Sequence, residues 1–302
     1  MTQFTENQFL NRFRRDVKSQ FGEDGIIEKI FEIIPPGERN HWSCEFGAWD
    51  GLHCSNTYNL IMNKGWSGVL IEANKKKFEC LQKTYLDVSK AVLINEFVNI
   101  SAQNTLDEIL SKTAIPKEFD FLSIDIDSTD YHIWESLEIY RPKLVVIEFN
   151  PCIPNNIEYV QVANPAKNHG TSILSMTKLA TRKGYELICV NAENAFYVDC
   201  RYFPLFGIKD NSIEALKYYR EPLQVFQLFD GTLVFQGEPS HSLVWYSLPV
   251  DFNKLQILPQ FIRNASAPWG GNWVLRAAFK ALRLYRRRFW KNIDKDPGAW
   301  KM

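Results

Sequence analysis

The chain has 302 residues, 45% hydrophobic and 23% charged, a balance that suits a folded core and excludes a disordered or fibrous chain. Its formal charge of zero hides a split, since residues 272–302 carry +7 and the preceding 271 carry −7. An acidic body is a poor partner for nucleic acid, and the basic end asks for an anionic surface.

The opening MTQFTENQFLNRFRRDVKSQF has no long apolar run, so neither a secretory signal nor a membrane span is expected there. The six cysteines (44, 54, 80, 152, 189 and 200) form no Cys-x-x-Cys pair. They read as reduced and mostly buried, which suits a cytoplasmic protein. GIIEKIFEII, Gly25 to Ile34, has apolar residues at helical spacing and stops at Pro35-Pro36-Gly37.

Seven strand candidates follow: WSCEFGA, SGVLIEAN, AVLINEFV, FDFLSIDID, LVVIEFN, YELICVN and NAFYVD. Helical patterns lie between the early ones, at Thr57 to Lys64, Lys75 to Leu86 and Thr105 to Lys112. Apolar strands joined by helical crossovers predict an α/β doubly wound, Rossmann-like sheet over residues 1–205. The last two candidates, with Asn191 and Asn194 in the turn, predict an antiparallel closing pair. Beyond about residue 205, LQVFQLFDGTLVFQG carries Asp230-Gly231 between two β-rich runs, a hairpin signal. A small β-rich appendage is expected over 206–262, with LVWYSLP as a further strand. Arg263 to Asn272 reads as a linker, and a basic amphipathic helix is expected over 272–293.

Acids fall at the ends of four of these strands, all expected on one edge of the sheet: Glu45 and Asp50, Glu72, Asp125 with Asp127, and Glu148 with Asn150. Gly47 and Gly51 alternate with the first pair and predict a tight turn between strand and helix. A dinucleotide fingerprint needs a third, helix-packing glycine, and acids beside the turn oppose a bound pyrophosphate. The pattern suits a cationic ligand carrying a ribose, with Glu72 placed to accept its hydroxyls. S-adenosylmethionine is such a ligand.

EFGAWDGLHCSNT, VLIEAN and DFLSIDIDSTD resemble the motifs of FkbM-type class I S-adenosylmethionine-dependent methyltransferases, and SQFGEDGIIEKIF resembles the helix that precedes their core. The resemblance spans roughly residues 19–200. It implies that Glu45, Gly47 and Gly51 line the methionine moiety of the cofactor and Glu72 its ribose, with Asp125 close to the methionine amine and the transferred methyl; Asp50 and Asn56 are further cofactor-binding candidates. Trp49, Ser123 and Asp127-Ser128 depart from the family pattern, where Asn, Lys and Glu-Gly are usual.

Methyl transfer to a hydroxyl needs in-line placement and a group to take the proton. Asp127, Glu148 and His169 are the candidates. The loop bearing His169 follows the strand that ends in Glu148, and His53 stands as a further contact beside the turn. Asp125, Asp127, Asp130, Glu148 and Asn150 also offer oxygen ligands for Mg²⁺ or Ca²⁺, a metal that is admitted but not predicted. The bland alternative has Asp130 capping the helix of YHIWESL and Asp127 bonding to loop amides.

In the basic end, Leu275, Ala278, Phe279, Leu282, Tyr285, Phe289 and Ile293 share one helical face, with Arg276, Lys280, Arg283, Arg287 and Lys291 on its flank. That pattern fits an anionic membrane surface, a contact with the body, or a second subunit. The expectation is a methyltransferase acting on a saccharide, such as a lipid-linked or cell-surface glycan, peripheral to the cytoplasmic membrane face. A non-catalytic binding subunit with the same fold is the rival, and an NAD-dependent oxidoreductase a weaker one.

Overall fold

The computed structural model describes residues 4–218, 224–236, 242–243, 248–249, 251, 254–256 and 273–290. The chain divides into two compact units, with the boundary between Tyr219 and Arg220.

The first unit is built on a seven-stranded sheet of β1 (Trp42–Phe46), β2 (Ser67–Ile71), β3 (Ala91–Ile94), β4 (Phe121–Ile124), β5 (Leu144–Glu148), β6 (Tyr185–Val190) and β7 (Asn194–Asp199). Their order across the sheet is β3-β2-β1-β4-β5-β7-β6, and β7 alone runs antiparallel to its neighbours. This order with its one reversed strand is the Rossmann-like class I methyltransferase architecture. The strands read as continuous apolar runs because both faces are covered. Val145 and Ile147 of β5 point into one core layer, while Leu144 and Val146 point into the other.

Helices α3 (Leu106–Ser111), α4 (Asp130–Ser136) and α5 (Ile173–Arg182) fill the first layer through Ile109, Trp134 and Met176. Helix α1 (Glu23–Ile33) packs Ile26, Ile27, Ile30 and Phe31 into the opposite layer. Helix α2 (Lys75–Thr84) adds Leu81 to a smaller cluster with Ala48 and Leu70. Sequence caps set two of these starts: the Asn74 side chain accepts from the amides of Lys76 and Lys77, and Ser172 accepts from Ser175. The helix expected at Thr57 to Lys64 is a single π-helical turn, Asn59–Asn63.

The domain boundary expected at 205 falls inside the first unit. Phe206 is buried in one core layer, and Ile213 and Leu216 of α6 (Ile213–Leu216) in the other. The six cysteines are free thiols, but only Cys44 and Cys189 are buried, and Cys80 and Cys200 are exposed, against the expectation of a mostly buried set.

In the second unit, β8 (Gln224–Gln227) and β9 (Leu233–Gln236) form the hairpin expected around Asp230-Gly231, with Gly231 at φ +84°. The Asp230 carboxylate closes the turn by accepting from the Thr232 amide at 2.9 Å. Short strands β10 (Ser242–Leu243) and β11 (Leu248–Pro249) pair antiparallel where a single strand LVWYSLP was expected, and 244–247 lie outside the described residues. So do the expected linker and the ends of the expected helix at 272 and 291–293. Helix α7 runs Trp273–Trp290. Among the described residues no helix is long and apolar enough to cross a membrane.

Candidate functional site

The chain leaves β1 for β2 on one side and later enters β4 on the other, so a crevice opens between the carboxyl ends of β1 and β4. A cavity of about 410 Å³ lies at this switch point. Gly47 and Trp49 line it after β1, Glu72 after β2, Glu96 and Phe97 after β3, and Asp125 and Asp127 after β4.

Gly47 sits at φ +77°, and a Cβ there would meet the Asp125 carbonyl oxygen at 2.1 Å. The glycine therefore lets β1 and β4 close up at the crevice floor. Gly51, at φ +69°, is held by packing instead: a Cβ would strike Leu81 and Tyr85, each at 2.5 Å. It does not line the cavity, and neither do Asp50 and Asn56.

Glu45 is likewise turned away from the ligand space expected for it. Its carboxylate accepts from Ser55 Oγ at 2.7 Å, Thr57 Oγ1 at 2.6 Å and the Asn56 amide at 2.9 Å, which fixes the loop after the glycine turn. Burial raises its proton affinity, and these donors oppose the rise. Asn56 extends the same network by donating to Ser123 Oγ at 3.0 Å. Asp50 accepts from the amides of Leu52 and His53 at 3.0 and 2.8 Å, an Asx turn that holds the chain between them.

Glu72 keeps a place in the cavity while bracing it. One carboxylate oxygen accepts from the Trp49 amide at 2.8 Å and the other from the Asn74 amide at 2.6 Å. Each oxygen retains a second lone pair for a ligand hydroxyl. Trp49 lies in the left-handed region at φ +49° and is 46% exposed, with the Lys77 ammonium 4.1 Å from its ring centre.

Asp125, Asp127 and Glu148 each bring a carboxylate oxygen within 4.8 Å of the others. Burial, then Asp130 and Asp127, push the Asp125 carboxyl well above the carboxylate range, and burial with Asp125 pushes Glu148 up as well. Asp130 is not a member of this group. Its oxygens accept from the amides of Ile126 and Ser128, both at 2.9 Å, so it straddles Asp127 and holds it at φ +58°. This reverses the bland alternative, since Asp130 takes the loop amides and α4 begins after Thr129. Asn150 also turns aside, accepting from the Cys152 amide at 2.9 Å and donating to the His169 carbonyl at 2.7 Å.

Two other buried acids of the sheet are neutralised by cations. Asp120, at the amino end of β4, meets Lys143 Nζ at 2.7 Å and accepts from the amides of Asn40 and His41. Asp199 pairs with Arg141 at 2.6 Å and Arg201 at 3.0 Å. Among the described residues, Asp125, Asp127 and Glu148 have no such cation and no donor. Three clustered carboxylates without a counter-charge can receive a cationic ligand, a divalent metal or a proton.

His169 stands in the loop between β5 and α5, its Nδ1 2.9 Å from the Tyr159 hydroxyl. Its main chain is anchored to Asn150, but its ring is not among the groups lining the cavity. His53 packs edge-on to Trp49, with ring centres 5.7 Å apart.

Sequence reasoning missed Glu96, Phe97 and Glu193. The first two follow β3 in INEFVN, and their position after a third strand end was the available signal. Glu193 lies in the β6–β7 turn, where its carbonyl accepts from the Phe149 amide at 2.9 Å. Burial, Glu23 and Asp127 push its carboxyl up to about 7. Glu23 in turn accepts from Asn194 at 3.1 Å and from Asn191, so the Ser19 to Phe31 segment holds this turn in place.

No protein-family model and no curated protein sequence matches the chain. Solved structures are similar to part of the chain at low identity. The CurJ carbon methyltransferase is 9% identical over 58% of this chain and 52% of its own, with a TM-score of 0.40. The N-terminal domain of EvdMO1, solved with S-adenosyl-homocysteine bound, is 10% identical over 58% and 79%, at 0.38. An S-adenosylmethionine-dependent methyltransferase from Aquifex aeolicus is 9% identical over 65% and 100%, at 0.38. The chain spans about half the length of the first two structures it matches. Strand order, rather than these distant likenesses, defines the architecture.

Proposed function

We propose that this chain is an S-adenosylmethionine-dependent O-methyltransferase of FkbM type, with a saccharide hydroxyl as acceptor. One observation carries the reading: Asp125 and Asp127, without a counter-charge, line the switch-point crevice with a Glu148 oxygen within 4.8 Å of theirs, and Glu72 lines the same cavity. A nucleoside bearing a sulfonium and an ammonium matches that charge pattern, and a pyrophosphate does not. The saccharide is the acceptor class implied by the FkbM resemblance.

On this reading Glu72 would take the ribose hydroxyls, the space bounded by Glu96 and Phe97 would take the base, and Asp125 would hold the ammonium. The bound cofactor would supply a sulfonium methyl group for in-line displacement, and this chain would supply the carboxylate that takes the acceptor proton. Asp127 is the foremost candidate for that proton because its loop is braced by Asp130, with Glu148 and His169 as alternatives. Asp125, Asp127 and Glu148 are the residues that would hold a divalent cation, whose contribution would be to polarise the acceptor oxygen.

Calorimetry with S-adenosylmethionine, S-adenosylhomocysteine and NAD tests the cofactor. Binding of the first two and not the third is expected, and the reverse would replace this reading with an oxidoreductase. Transfer of labelled methyl to a panel of saccharides, with and without chelator, tests the acceptor and the metal. Cofactor binding without transfer to any hydroxyl acceptor would leave the binding-subunit reading.

A further inference from the structure

We infer that Trp49 is a further cofactor-contacting residue, its indole ring packed against the nucleoside; the inference rests on the S-adenosylmethionine reading of the crevice. Trp49 follows β1 at the position where the FkbM pattern has Asn. Its backbone lies in the left-handed region at φ +49°, a conformation that strains a bulky L-residue. Such strain persists where neighbours hold it, and it gathers at ligand sites. The Glu72 carboxylate holds this one by accepting the Trp49 N–H at 2.8 Å.

The fold gives the ring little burial in exchange. The Lys77 ammonium stands 4.1 Å from the ring centre and His53 meets it edge-on at 5.7 Å, yet Trp49 remains 46% exposed. It lines the cavity with Glu72, Ala73, Lys77 and Phe97, and Phe97 is 49% exposed. Accessible aromatic surface inside a cavity of about 410 Å³ is suited to cover a flat ligand face.

Sheet order identifies that face. Strand β2 lies between β1 and β3, so the loops after β1 and β3 flank Glu72 on either side, one carrying Trp49 and the other Phe97. A ribose held at Glu72 therefore puts the nucleoside between these two loops. The sulfonium is a poorer occupant, because the Lys77 ammonium is already at the indole ring and repels a second cation. A neutral sugar and base meet no such repulsion.

The test is calorimetry on the full chain with S-adenosylmethionine and S-adenosylhomocysteine, and competition by 5′-methylthioadenosine, which has the nucleoside without the amino-acid end. Trp49→Gly keeps the N–H that Glu72 accepts and suits a left-handed backbone. It should weaken all three ligands about tenfold, the order of one base–aromatic stack. Trp49→Phe restores a ring and should recover most of that loss. S-adenosylhomocysteine should also change the tryptophan emission of the parent, and most of the change should disappear in Trp49→Phe. Thermal melts without ligand verify folding, and Trp49→Asn, which tolerates the same backbone, carries the same expectation should Trp49→Gly not fold. Unchanged affinity in the folded Gly or Asn variant overturns the inference. So does a loss confined to S-adenosylmethionine, which would put the ring at the sulfonium, or one that spares 5′-methylthioadenosine or that Trp49→Phe does not recover. A parent that binds neither S-adenosylmethionine nor S-adenosylhomocysteine fails at the cofactor itself, and the role of Trp49 falls with it.

Discussion

Glu72, at the end of β2, accepts the backbone N–H of Trp49 at 2.8 Å, so the carboxylate proposed to hold a ribose also braces the loop after β1. The proposed role would couple ligand affinity and loop order through one side chain. Trp49 in its left-handed conformation is held in part by that bond.

Replacing Glu72 by Ala should weaken S-adenosylhomocysteine binding by roughly 1.5 to 3 kcal/mol, the worth of hydrogen bonds to a charged group. Because the Trp49 and Asn74 amides lose their acceptor, the thermal midpoint should drop as well. Glu72→Gln retains one accepting oxygen and should fall between. Calorimetry on folded protein decides it, and unchanged affinity in Glu72→Ala would remove this residue from the site.

A methyl group at Gly47 has nowhere to go. Gly47→Ala combines a positive φ with a contact of 2.1 Å to the Asp125 carbonyl. The expected loss is about 2 kcal/mol or more of stability, together with cofactor binding, as β1 and β4 are forced apart. Gly37→Ala is the control, because nothing lies within 4 Å of its added carbon. Equal denaturation midpoints for the two variants would contradict the close approach.

Turnover separates the candidate bases. Asp127→Asn should lower kcat while leaving S-adenosylhomocysteine affinity within a few-fold, because a base acts in the transition state. His169→Ala should do the same if its loop reaches the acceptor. Full turnover in both variants would shift the role to Glu148 or Glu193, which Gln substitutions then distinguish.

The acidic crevice should make the fold weaken as pH rises. Asp125 and Glu148 are pushed above the carboxylate range by burial first, and Glu193 to about 7 by the same cause. The folded state thus holds protons that the unfolded chain releases near the ordinary carboxylate pKa. Their stabilisation is fully present below that value and is lost as pH rises through the raised ones. Each retained proton sets a slope of at most about 1.4 kcal/mol per pH unit. Glu148→Gln should flatten the decline in thermal midpoint between mildly acidic and mildly alkaline pH. A decline equally steep in the variant would show that Glu148 is not carrying the effect.

The sequence by itself determined the sheet and the edge on which its acids gather. Apolar runs such as LVVIEFN and helical spacing between them report burial on both strand faces, and the acids that end those runs share the carboxyl edge by topology. Only the tertiary structure decided which acids remain available. Glu45 meets Ser55, Asn56 and Thr57, and Asp130 meets the amides of Ile126 and Ser128, so both are consumed in holding loops. Asp125, Asp127 and Glu148 sit at equivalent strand ends but no donor is aimed at them among the described residues. The glycines divide the same way, with Gly47 at the crevice floor and Gly51 against Leu81 and Tyr85. Position along a strand is a local property, written in periodicity. The partner of a carboxylate depends on where distant backbone amides and cations point, and that direction exists only once the chain has folded.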